Sequence, residues 1–349
     1  MGSLMGALAG AVTSARLTFK VHRFEVLAVS VGSLIVAASA LIVTYRLNSV
    51  GVTTQCLLQW LSGGPDAAGA CKDPVSQWAG INESEGGKVL AAMALLPYAI
   101  GLFLGVPLVG RELEARTAAT AWGLAGSRSR WLFGRLMPVL LLTLALGALT
   151  AVTAAILDTT RTGDGLWSNL YQDAELFGAP VVAHAIAGLG IGLVVGAVMG
   201  RTLPALIVGA VVAIVLFNVG QQWHESFLPE SAFGTQGPVT AISVRPTTGP
   251  PLSGADLADA AARVMDPDLD YRFQTADGQL LTREAAIATV PAGTTDVGAW
   301  LVTNDTPVFE GPSAALTSAW QLRETLGFGL LGGLLILLTF PVVERARPT

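Results

Sequence analysis

The chain has 349 residues, 52% hydrophobic and 13% charged, with 40 glycines, a formal net charge of −5 and a mean hydropathy of +0.59. A soluble domain carries about a quarter charged residues, so this composition excludes an ordinary globular protein, and its apolar content excludes a disordered one. Two cysteines exclude a disulfide-rich secreted scaffold.

The apolar residues gather in blocks. A helix needs about 20 mostly apolar residues to cross the hydrocarbon core, and six stretches suffice: 25–45, 89–110, 132–157, 179–200, 203–222 and 324–343. The fold class read from them is all-α polytopic, with six transmembrane helices, an N-terminal interfacial helix and a small α+β extracellular domain between helices 5 and 6. Residues 1–24 carry Leu4, Leu8, Val12, Leu17 and Val21 near helical spacing, with Arg16, Lys20 and Arg23 on other faces. That pattern fits a helix under the inner leaflet; a disordered basic tail is the alternative. The first span is too long for the apolar region of a signal peptide.

The outer loop 46–88 contains Cys56 and Cys71. Two cysteines in one segment on the oxidising side point to a disulfide, constraining the loop's unfolded ensemble by roughly 3 kcal/mol; two free thiols are the alternative. In the second span, Pro97 and Pro107 predict kinks rather than ends, as does Pro204 at the start of the fifth.

The inner segment 111–131 places charges in its first turn, then small residues and a tryptophan, then Ser127-Arg128-Ser129-Arg130-Trp131. It reads as a short amphipathic helix along the inner membrane surface, or, more plainly, as a positively charged inner loop. With the N-terminus inside, Arg16, Lys20, Arg23, Arg111, Arg116, Arg128, Arg130, Arg135, Arg201, Arg345 and Arg347 lie inside against Glu25, Glu112, Glu114 and Glu344. The basic short loops put both termini in the cytoplasm.

The fourth span carries Gly188, Gly192, Gly196 and Gly200 at four-residue spacing, a strip suited to close helix packing. The same span holds His184, read as a polar packing residue between helices rather than a proton carrier. Residues 223–322 are too long for a connector and carry twelve acidic against four basic side chains. There, Tyr271–Thr275 and Gln279–Thr282 around Ala-Asp-Gly predict a β-hairpin, and 255–265 a short helix.

The sequence holds no H-E-x-x-H, G-x-S-x-G or C-x-x-C motif and no phosphate-binding loop, so catalytic, metal and cofactor roles have no candidates in this chain. No nucleic acid partner is expected.

The inner segment resembles that of the six-span permease subunits of ABC type-2 exporters, particularly the short actinobacterial group. Their loop reads approximately R-E-L-E-x-G-T, a gap with L-A-W, then S-x-x-R-x-R-W-x-x-x-K. This chain carries Arg111-Glu112-Leu113-Glu114, Thr117, Ala121-Trp122, Ser127, Arg128, Arg130-Trp131 and Arg135. Arg116 stands where that pattern has glycine, and Arg135 where it has lysine. Trp320-Gln321-Leu322-Arg323-Glu324 is similar to the family's W-x-x-Q-x-x-E, two residues more compact.

The resemblance implies that Arg111, Glu112, Glu114, Arg116 and Thr117 form a coupling helix seated on a cytoplasmic ABC ATPase dimer. That dimer would bind the ATP and magnesium. It implies a plasma-membrane permease homodimer moving an amphipathic or hydrophobic compound outward among membrane lipid, along spans one, two and five. The domains then run 1–24 interfacial helix, 25–222 first five spans, 223–322 extracellular domain, and 323–349 last span and tail. A membrane-anchored sensor whose outer domain binds a ligand is the alternative. It predicts a cytoplasmic signalling domain or long inner tail, where six residues follow the last span. An intramembrane enzyme would need paired His, Asp or Ser residues at membrane depth.

Overall fold

The computed structural model describes residues 18–52, 71–162, 176–226, 233–238, 271–275, 279–291, 294, 300, 306–312 and 314–345. Helix dominates it. A helical turn at 18–21 breaks at His22 before α1 (Arg23–Val50), which ends at Gly51 in a left-handed conformation. Then come α2 (Lys72–Ile81), a π-helical turn (Asn82–Gly86) and α3 (Gly87–Glu114), continuous from 72 to 114. Pro97 and Pro107 lie inside α3, not at its ends. The short α4 (Ala118–Ala125) leads to α5 (Arg128–Thr162). α6 (Ala179–Met199) and α7 (Thr202–Ser226) are joined by Gly200 and Arg201 alone. The last helix is α9 (Ala314–Arg345).

Among the described residues, six helical stretches are long and apolar enough to cross a membrane: Arg23–Val50, Lys72–Glu114, Arg128–Arg161, Ala179–Met199, Thr202–Gly220 and Ser318–Arg345. They coincide with the six spans expected from the sequence. α6 is the hub, with 72% of its apolar window buried against 17% for α7 and for α9. Glycines explain how α6 accommodates neighbours on two sides. A Cβ on Gly101 of α3 would stand 2.2 Å from the Leu189 nitrogen, and one on Gly188 2.7 Å from the Tyr98 oxygen. On the α9 side, a Cβ on Gly190 would meet the Gly332 oxygen at 2.7 Å. Contact this close is a means of helix association where lipid offers no hydrophobic drive.

Between α7 and α9 the expected α+β extracellular domain is not seen, and that expectation is corrected. The described residues there form only a small antiparallel sheet and one short helix. The strands are β1 (Phe233–Pro238), β2 (Tyr271–Gln274), β3 (Leu280–Thr282) and β4 (Thr306–Pro312), in the order β1-β4-β2-β3; the helix is α8 (Arg283–Ala288). β2 and β3 make the expected hairpin, with Phe273 opposite Leu281. Ala286 and Val290 are the buried hydrophobic residues described in this stretch, and the described hydrophobic clusters lie in the membrane helices and the segments flanking them. Strands of three to seven residues have too little apolar surface to enclose a core by themselves. The helix expected at 255–265 lies outside the described residues. The fold described is all-α and polytopic.

Candidate functional site

The motif-bearing inner segment folds as an elbow between α3 and α5. At the end of α3, the Ala115 N–H donates to the Arg111 carbonyl at 2.9 Å and the Arg116 N–H to that of Leu113 at 3.1 Å. Arg116 has φ +57°, and among the described residues it is the one non-glycine with positive φ. Left-handed backbone costs an L-residue roughly 1–2 kcal/mol, which explains why glycine suits this position in the resembled permeases. Thr117 then opens α4. Its N–H donates to the Glu112 carbonyl at 3.1 Å and its hydroxyl to Glu112 Oε2 at 2.6 Å. Gly126, φ +77°, closes α4, and Ser127 Oγ accepts from the Arg130 N–H at the start of α5.

Ion pairs join this elbow to the spans. Arg111 Nη1 meets Glu25 Oε1 of α1 at 2.9 Å. Glu112 pairs with Arg135 of α5, their side chains only 11% and 13% exposed. His22 is buried at the same junction; burial holds its pKa below the usual histidine value, Glu25 opposing and Arg135 and Arg111 reinforcing. Glu114 Oε2 accepts from the Thr202 N–H at 3.0 Å and its hydroxyl at 2.8 Å. Thr202 is the first residue of α7, so a carboxylate caps the positive end of that helix.

Aromatic stacking completes the elbow. Trp122 of α4 and Trp131 of α5 meet edge to face at 6.2 Å, with Arg128 over the Trp122 ring and Arg135 over the Trp131 ring. Arg128 Nη1 donates to the Val343 and Glu344 carbonyls, and the Ser129 hydroxyl to the Glu344 carboxylate, which ties in the end of α9. The elbow as a whole is thus joined to α1, α7 and α9, while α4 itself packs on α5.

Of the residues expected to carry coupling, Arg111, Glu112, Glu114 and Thr117 are engaged within the chain, and Arg116 is exposed. Thr120 and Arg130 are exposed with it, and Leu124 on α4 is 86% exposed. The charged residues of the motif hold the elbow's shape, while a mixed polar and apolar face looks outward.

The other expected sites lie elsewhere. Gly188, Gly192 and Gly196 pack on α3, whereas Gly200, φ +61°, ends α6. Cys71 directly precedes α2, and no described cysteine is free; Cys56 lies outside the described residues. Among the described residues no group of three or more His, Cys, Asp or Glu is placed to hold a metal.

Sequence reasoning missed the pairings between helices, among them one at membrane depth. His184 Nε2 of α6 lies 3.0 Å from Glu324 Oε1 of α9, both side chains under 10% exposed at 4% and 8%. Tyr98 stacks on the His184 ring at 5.0 Å, and Phe328 stands edge-on to it at 4.4 Å. The signal was available: an ionisable group at membrane depth needs a partner, and the histidine of span four and the glutamate opening span six are candidates for each other.

A family model described as ABC-2 membrane transporter related matches residues 24–224, which include α1, the whole elbow and α6. No curated protein and no solved structure matches the chain. The match runs over more than half of the chain and takes in the glutamate-and-arginine elbow whole: this protein belongs to the ABC-2 membrane transporter related family.

Proposed function

We propose that the chain is the permease subunit of an ATP-driven exporter that moves an amphipathic or hydrophobic compound out of the cell. The catalysis is done by a cytoplasmic ABC ATPase dimer, which binds ATP and magnesium, and two copies of this chain complete the complex. The protein lies in the plasma membrane with both termini cytoplasmic. A Cys56–Cys71 bridge closes the outer loop.

The observation that supports this reading best is the outward face of α4. Leu124, exposed one turn beyond the exposed Thr120 on a helix of eight residues, offers an apolar contact with a polar neighbour. α4 follows directly on the charged end of α3, which is bonded to α1, α5 and α7, and it packs on α5 through Trp122, so a push on it reaches those spans through the elbow. Such pairs have discrete arrangements, so the elbow passes on rigid-body motion rather than absorbing it.

The test is substitution of the exposed apolar residue. A Leu124→Asp protein should insert and unfold like the parent, since its side chain is in solvent. It should lose co-purification with the ATPase, or lose transport-linked ATP hydrolysis. Parental association together with parental stimulated hydrolysis would reject the proposal.

A further inference from the structure

At the end of the bundle where α6 and α9 begin, a cavity of about 310 Å³ lies between α7 and α9. Leu216, Val219, Phe328 and Leu331 make its wall mostly apolar, and Glu324 is on that wall. The two oxygens of this carboxylate differ. Oε1 is tied to His184 at 3.0 Å, whereas Oε2 is buried with no hydrogen-bond partner. A buried carboxylate oxygen without a donor is costly, and in an apolar setting it attracts a charged N–H strongly. Phe328 adds an aromatic ring on the same wall. Arg323 also lines the cavity, but it is exposed, so solvent screens its charge far more than that of Glu324.

We infer that this cavity binds the protonated amine of a cationic amphiphile. The ammonium donates to Glu324 Oε2, and the apolar body lies against Leu216, Val219 and Leu331. His184 is a positioning residue: it holds Oε1 and leaves Oε2 as the oxygen able to accept from a ligand. Naming such amines as the cargo rests on the exporter reading; the binding itself does not.

The experiment uses the full chain in phosphatidylcholine nanodiscs, without ATPase or ATP. A dansyl-linked pentylamine is the probe, compared with its N-acetyl derivative and a matched carboxylate, and fluorescence titration gives the affinities. On the unaltered protein the amine should bind saturably and about tenfold tighter than the acetylated compound, the carboxylate weakest. Glu324→Gln should erase that difference by weakening the amine alone, and Arg323→Gln should tighten the amine severalfold. Leu331→Trp, which fills the cavity and leaves the His184–Glu324 pair in place, should abolish binding of both. Equal affinity for amine and amide on the unaltered protein, or undiminished amine binding in Glu324→Gln, would overturn the inference; the first comparison needs no substitution to fold. If the amine binds as expected but a complete complex does not move it, the site stands and the cargo assignment fails.

Discussion

The elbow and the His184–Glu324 pair both set ionisable groups between helices, in opposite surroundings. In the elbow each carboxylate meets a cation or a hydroxyl, Glu25 with Arg111, Glu112 with Arg135 and Thr117, Glu114 with Thr202, although Glu25 Oε2 is itself buried without a donor. At the other site the pair is buried, Tyr98 and Phe328 pack on the His184 ring, and the carboxylate with a spare oxygen lines a mostly apolar cavity. Charges paired with opposite charges hold a shape at modest cost, whereas a carboxylate with a spare oxygen beside an apolar cavity has room there for a cationic partner. On the readings proposed above, the first region would transmit motion and the second would bind.

Both regions are supported by the seam between α3 and α6, so breaking it should have the largest effect. A Gly101→Leu side chain would start 2.2 Å from the Leu189 nitrogen. Neither backbone can yield that distance, and the protein should fail to give a monodisperse folded peak in detergent. Next is the most buried pair of the elbow. Glu112→Ala leaves Arg135 without its partner, and loss of one member of a largely buried pair costs about 3 kcal/mol. A fall in the detergent melting temperature checks it, and Glu112→Ala with Arg135→Met should recover most of the loss.

Glu114 sharpens the contrast, because its carboxylate is exposed and its role is to hold Thr202. Glu114→Lys should melt close to the parent and still associate with its ATPase, yet stimulated hydrolysis should drop severalfold because α7 is uncoupled. Equal stimulation would show that α7 does not receive motion through this bond. The smallest effect is at the left-handed residue. Arg116→Gly relieves positive φ but loosens the unfolded chain, so stability should change by no more than about 1 kcal/mol, toward stabilisation. Arg116→Val, β-branched at the same φ, should destabilise.

Much of this was legible in the residues. Six apolar blocks became six helices, because in lipid a helix satisfies its own backbone, and Ala-Asp-Gly between apolar strands marked the hairpin. The glycine-rich stretch of span four became the packed seam because small residues at four-residue spacing share one helix face. What the residues left open was which distant groups meet. Glu114 with Thr202 and His184 with Glu324 are pairings across 88 and 140 residues, set by which helices adjoin α6. The expected α+β domain failed for a related reason: hairpin chemistry is local, but enclosing a core depends on apolar surface gathered from many segments.

The central claim is that the face of α4 bearing Leu124 is covered by an ATPase. The most direct measurement is the labelling rate of a Leu124→Cys protein with a membrane-impermeant maleimide, in the assembled complex and after the ATPase is stripped away. The account predicts slow labelling in the complex and fast labelling once the face is bared, with an otherwise identical Thr159→Cys control at the far end of α5 unchanged. Equally fast labelling in both states would contradict it.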